Sequence, residues 1–177
     1  MSVCNRPHFS YMRLLVLGGA FIVSTVFLSG CATLSSTAAT TSPTPTTDVE
    51  ATVSSPIAVI TTNGGGTVTV VLELAITPEQ QARGLMFREH LEPNAGMLFI
   101  FGYDAPHGFW MRNTLIPLDV LYISYDGAVV HIRQQAQPQD ETIYIPPAPC
   151  RYVLEVNGGF CDREGVADGS QVTFVGL

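Results

Sequence analysis

Along residues 67–75 apolar and polar positions alternate. Val68, Val70, Leu72 and Leu74 fall on one face, and Thr69, Val71, Glu73 and Ala75 on the other. A period of two marks a strand with one face in a core. Residues 57–62 are also β-rich, and Asn63-Gly64-Gly65-Gly66 between the two runs predicts a tight hairpin. Thr77-Pro78-Glu79-Gln80 then supplies an N-cap, a proline at the first helical position and a capping-box partner, so a short helix is predicted from Pro78 to about Met86. Its inner face would carry Ala82, Leu85 and Met86, and Gly84 implies close packing under another element.

The run Met97 to Phe101 is apolar on both faces, as in a strand covered from two sides. Phe109 to Thr114 reads as a strand with Trp110, Arg112 and Thr114 facing one way and Phe109, Met111 and Asn113 the other. Pro117 opens a strand from Leu118 to Ser124, and Asp126-Gly127 turns it into a partner from Ala128 to Arg133. After a polar, proline-rich connection from Gln134 to Pro149 come a strand from Arg151 to Val156, a helical turn from Phe160 to Glu164 and a closing strand from Gln171 to Val175. Many short strands with turn signals at close spacing predict a mainly β fold, a compact β-sandwich or partly open, jelly-roll-like barrel with one or two short helices.

Residues 1–56 follow neither period. Arg6 and Arg13 precede an apolar run from Leu14 to Phe27 and the sequence Leu28-Ser29-Gly30-Cys31, the layout of an export signal ending in a small-residue cleavage zone. Leu-Ser-Gly-Cys resembles the bacterial lipobox, so Cys31 is expected to be acylated and to become the mature N-terminus, with residues 1–30 removed and Cys4 lost with them. Acyl chains contribute about 0.8 kcal/mol per buried methylene and hold a protein on a membrane without a spanning helix. Ala32 in place of aspartate after the cysteine resembles lipoproteins sorted to an outer membrane; the outer face of the cytoplasmic membrane is the other expected location. Residues 31–56 are rich in Thr, Ser, Ala and Pro and lack the apolar side chains needed to offset ordering entropy. They are expected to form a disordered linker reaching roughly 25–30 Å, with the single folded domain at residues 57–177.

Charge narrows the partners. The 177-residue chain has eight basic residues, all arginine, against fifteen acidic ones; past Cys31 six remain against fifteen, a balance of −9. No basic stripe exists to neutralise phosphates, so nucleic acid is not an expected partner.

The motifs GLMFRE, GMLFIF, FWMRNT, IPLDVLYI and YVLEVNGG follow one another in that order. In this the chain resembles domain of unknown function family 192 over about Val68 to Phe174. The resemblance implies a compact, exported or membrane-linked β domain and carries no established activity. Its characteristic polar residues fall on Arg88, Asn113, Thr114, Asp119 and Glu155, while the usual glycine-aspartate turn near the end appears as Gly169-Ser170.

The same residues carry the candidate chemistry. Asp119 and Glu155 each interrupt an apolar strand, and a buried carboxylate requires a partner or a raised pKa. Arg88, Arg112 and Asn113 are the expected partners. The pair offers a structural network or, across an open cleft, the two carboxyls of a hydrolase. Trp110, the one tryptophan, could join Tyr103, His107 and Phe109 as an aromatic platform for a sugar or other flat ligand held by Asn113, Thr114 and Asp119, or serve as core packing. Met86, Met97, His107 and Met111 are weak soft-metal candidates, and no metal or other cofactor is expected. Cys150 and Cys161 are a disulfide candidate, set against the strand that carries them apart. The reading is of a lipid-anchored envelope domain that binds a small or polymeric ligand, an envelope glycan or a partner protein near Trp110 to Asp119. The alternative is an envelope hydrolase or other modifying enzyme using Asp119 and Glu155.

Overall fold

The computed structural model describes residues 54–177; the expected signal segment, Cys31 and the expected linker as far as residue 53 lie outside the described residues. Seven strands form one sheet: β1 (Ile57–Thr61), β2 (Thr67–Ala75), β3 (Ala95–Ala105), β4 (Leu118–Ile123), β5 (Val129–Ala136), β6 (Cys150–Asn157) and β7 (Gln171–Val175). Their spatial order is β5-β4-β6-β3-β2-β1-β7. Neighbours are antiparallel except β2 and β3, which are parallel and joined across helix α1 (Pro78–Arg83). Helix α2 (Phe160–Glu164) lies between β6 and β7.

The two edge strands meet at one end. Val129 N donates to Ser170 O at 2.9 Å, Val172 N donates to Gly127 O at 2.8 Å, and Ala128 pairs with Gln171. The sheet therefore curls on itself and satisfies part of its own edge, which makes it the partly open barrel of the two expected forms.

Side-chain parity divides the core in two. All seven strands send residues into the curl, among them Ala58, Val70, Leu98, Leu121, Leu154 and Val172, where Phe160 and Cys161 of α2 join them. The outer face of the middle strands carries a second cluster, including Met97, Phe99, Leu118, Val120, Tyr122 and Val153. Every residue of β4 is buried, because β4 is covered on both faces. Each such Leu, Ile or Val contributes roughly 1.5–3 kcal/mol relative to an exposed position.

Most predicted boundaries hold to within a residue or two. Thr77 and Gln80 make both hydrogen bonds of the capping box, but α1 ends at Arg83 with no buried residue, so Ala82 is exposed and only Leu85, in the following turn, is buried. Strand β5 runs to Ala136, three residues beyond the expected end. The segment Phe109 to Thr114 is not a strand. Phe109 makes one bridge to Tyr144, and Asn113 turns the chain with φ 56°. The backbone groups there bond to neighbouring loops: Met111 N donates to Asp140 O, Gln139 N to Thr114 O and Phe87 N to Asn113 O. β4 and β6 are paired on both sides, and the segment instead takes its backbone partners from loops.

Candidate functional site

β6 lies between β3 and β4, and Glu155 stands opposite Met97 on one neighbour and Val120 on the other. Its carboxyl thus emerges on the outer face between two apolar side chains. The residue is 5 % exposed, and no hydrogen bond among the described residues reaches the carboxyl. Burial alone pushes its pKa up to about 8, so at neutral pH it is chiefly the protonated acid, able to donate one hydrogen bond and accept others.

Two segments roof this carboxyl. One is α1 with its following turn; the other is the loop through Phe109, Trp110, Met111 and Thr114. Between them a recess of about 30 Å³ is bounded by Gln81, Gly84, Phe99, Trp110, Thr114 and Glu155. It adjoins a wider groove of about 340 Å³ lined by Gln81, Phe99, Phe101, His107, Phe109 and Trp110. Gly84 keeps the recess open. It has φ 47°, and a Cβ there would lie 3.1 Å from the Phe99 ring and 3.8 Å from Glu155 Oε2.

The groove walls are braced. Gln81 Nε2 donates to Ile100 O at 2.8 Å, fixing α1 against β3. Phe109 and Tyr144 exchange backbone hydrogen bonds of 2.9 and 2.8 Å, tying the opposite wall to the connection before β6. Phe101 stacks on His107 with centroids 3.6 Å apart, and Phe99 meets Phe109 edge-on at 4.9 Å. Burial lowers the His107 pKa, which keeps that ring neutral at pH 7. Trp110 remains 38 % exposed, with the Arg112 guanidinium 5.4 Å from its ring centroid.

The structure does not bring Asp119, Arg88 and Asn113 to Glu155. Asp119 stands opposite Val156, one residue out of phase with Glu155, so the two carboxyls project from opposite faces of the sheet. Asp119 is fully buried. Its Oδ1 accepts from Gln135 N (2.8 Å) and Gly159 N (3.1 Å), and its Oδ2 accepts from Cys161 N (2.8 Å). It serves as a distant cap for α2, whose own N-cap residue, Gly159, has no side chain to offer. Arg88 pairs through both guanidinium nitrogens with Glu73, which raises its pKa. Asn113 Nδ2 lies 3.9 Å from Met86 Sδ. Thr114 is buried and borders the recess. The two-carboxyl chemistry expected of a hydrolase therefore has no site here, since neither a cleft nor a face is shared.

The soft-metal candidates also disperse. Met97 and Met111 are buried in the outer cluster, Met86 contacts Asn113, and His107 is stacked on Phe101. Among the described residues no group of three His, Cys, Asp or Glu is placed to hold a metal ion. Cys150 and Cys161 are both buried free thiols. The disulfide expectation fails because Cys150 belongs to the outer cluster and Cys161 to the inner one, with the sheet between them.

Sequence reasoning missed Gln81, Phe99 and Phe101 as lining residues. Strand parity was the available signal: Met97, Phe99 and Phe101 share the outer face of β3, and Met97 is the residue opposite Glu155.

Comparison with known proteins places this geometry among others. The model of the DUF192 family, described as an uncharacterized ACR, matches residues 58–174. The crystal structure of a Sinorhizobium meliloti 1021 protein, provisionally called a transcription regulator, shares 40% identity and a TM-score of 0.67, covering 69% of this chain and 95% of that one. A protein of unknown function from Novosphingobium aromaticivorans DSM 12444 shares 39% identity and a TM-score of 0.64, covering 66% of this chain and 83% of that one. No curated protein matches.

Proposed function

The chain belongs to the DUF192 family, and from that premise we propose that its folded part is a ligand-binding domain of the cell envelope. The observation that carries the reading is Glu155, a buried carboxyl without a protein partner at the end of a recess that adjoins an aromatic-lined groove. Buried polar groups in folded proteins are nearly always satisfied. One that faces a recess open to a groove can pair with a polar group of a ligand that enters there. The groove has the volume for a ligand the size of a monosaccharide or of one residue of a polymer, and aromatic rings such as Trp110 offer flat apolar surface to such a body.

The address proposed for this domain is the outer membrane or the outer face of the cytoplasmic membrane, held by acylation of Cys31 and spaced by residues 32–56. Labelling cells with a fatty-acid analogue tests it: wild-type chain should take up label and sediment with membranes, and Cys31→Ser should do neither. The Sinorhizobium relative is provisionally called a transcription regulator, but the acidic balance of −9 after Cys31 speaks against a phosphate backbone as partner here.

Titration of the full-length chain with envelope glycan fragments and small ring compounds, followed by Trp110 fluorescence, tests the binding site. Trp110→Ala, read by calorimetry, should lose at least tenfold in affinity while keeping its circular dichroism spectrum. Binding that survives Trp110→Ala unchanged would move the site elsewhere; no binding by any compound would remove the reading.

A further inference from the structure

The recess and the groove differ in size and in chemistry. The recess is about 30 Å³, room for one water-sized group, and ends on the Glu155 carboxyl. The groove beside it is about 340 Å³ and presents Phe99, Phe101, Phe109 and Trp110. A ligand filling both has a compact polar head and a ring-sized body. The head must be a group that a solitary carboxyl can hold in apolar surroundings.

We propose that this site, on the binding reading given above, recognises a primary amine: the ammonium enters the recess against Glu155 and a ring-sized body lies along the groove aromatics. A primary ammonium is about the size of a water molecule, so it fits where a quaternary ammonium does not. Its three N–H donors match a carboxylate, and its charge is favoured near aromatic faces. The acidic balance of the chain after Cys31 attracts cations toward the surface.

The cations already present leave this place open. Arg133, on β5, reaches the far side of Glu155 but bonds Asp140 at 3.1 Å and lies over the Tyr144 ring at 5.0 Å. Arg83, on α1, borders the recess with an exposed side chain. From β4, Tyr122 is the titratable neighbour, a buried hydroxyl without a partner and neutral at every pH used below. β3 presents Met97 and Phe99, and His107 in the groove wall is neutral at pH 7.

Binding an ammonium converts the neutral acid to a carboxylate, so a proton leaves Glu155 for solvent as the ion pair forms. With the carboxyl titrating at about 8 when no amine is bound, most of a proton is released per fully protonated amine bound at pH 7, and affinity increases as pH rises toward that value, by up to about tenfold per unit.

The test is calorimetry of the full-length chain, in buffers of different ionisation enthalpy, with two amine probes and their neutral counterparts. Phenethylamine is compared with phenylethanol, and glucosamine with N-acetylglucosamine; the two arms separate an aryl source from a sugar source. The expected result is that at least one amine binds tenfold or more tightly than its counterpart. The proton release and pH dependence should accompany it in the wild-type chain, where no variant has to fold, and both should vanish in Glu155→Gln. If neutral counterparts bind as well as the amines and Trp110→Ala abolishes both, the amine assignment is overturned while the groove remains the site. Absence of binding by all four probes overturns the amine assignment; the groove reading is then decided by the separate glycan and ring-compound titration.

Discussion

Replacing Glu155 with glutamine isolates the cost of this carboxyl. In the native chain burial raises its pKa from an ordinary 4.5 to about 8. The folded state therefore holds the proton more tightly than the unfolded state does. The contribution of Glu155 to stability is fully present below about pH 4.5, falls as pH rises from there to about 8, and then levels off. Each unit of that interval changes the folding equilibrium about tenfold, so the full decline is on the order of 5 kcal/mol, an upper bound and a substantial share of a domain's usual stability. Glutamine keeps the shape and has no proton to lose. Urea unfolding of wild type and Glu155→Gln from about pH 5 to about pH 8 measures the difference, and subtracting the two curves cancels the titration of every other group. Near pH 5 the two should agree within about 1 kcal/mol. Toward pH 8 the variant should be more stable by several kcal/mol. A difference that stays flat across this range would show that Glu155 ionises as it does in water, and the burial assigned to its carboxyl would be wrong.

Asp119→Asn should destabilise by about 2–4 kcal/mol, because an amide group replaces one oxygen of a carboxylate that three backbone N–H groups share; a loss below about 1 kcal/mol in urea would contradict the capping role. Gly84→Ala should cost about 1–3 kcal/mol from its φ of 47° and the 3.1 Å approach to Phe99, and should weaken any ligand that enters the recess; an unchanged melting temperature would count against that geometry. Alkylation of denatured, non-reduced protein, read by mass spectrometry, should modify both Cys150 and Cys161, and the folded protein should react far more slowly because both are buried; a mass matching a bridge between them would refute the placement of the two thiols on opposite faces.

The scaffold was legible because its signals are local. Alternation over residues 67–75, the glycine turn before it and the Thr77-Pro78 cap each state a conformation within a few residues, and each is found. The site depended on pairing that a sequence does not state. That Asp119 and Glu155 interrupt apolar strands was visible; that β4 and β6 pair with Asp119 opposite Val156, and so turn the carboxyls to opposite faces, follows only from register. Cys150 and Cys161 fall in different core clusters, and Arg88 is held by Glu73 two strands away from Glu155 on the same face, neither of which the sequence states. Phe109 to Thr114 misled for a related reason: its β-prone residues cross the outer face of the sheet with their backbone bonded to loops, and tertiary context overrode propensity.

A carboxyl in this position requires a reason that a core leucine would not. Its flanking residues on the sheet are Met97 and Val120, and an apolar side chain between them would remove the desolvation cost. Asp119, equally buried, repays its burial within the fold by holding α2, whereas no group of the protein does that for Glu155. A ligand that gives the carboxylate a partner therefore recovers part of the burial penalty on binding. Stability and affinity are then one linkage seen from two sides. Measured against Glu155→Gln, the ligand-free wild type should lose stability from about pH 5 to about pH 8, and wild type saturated with a ligand that pairs with Glu155 should lose much less over the same range. A neutral ligand that merely fills the groove would leave the two pH profiles parallel, which separates an occupant of the recess from one that only rests on the aromatic rings.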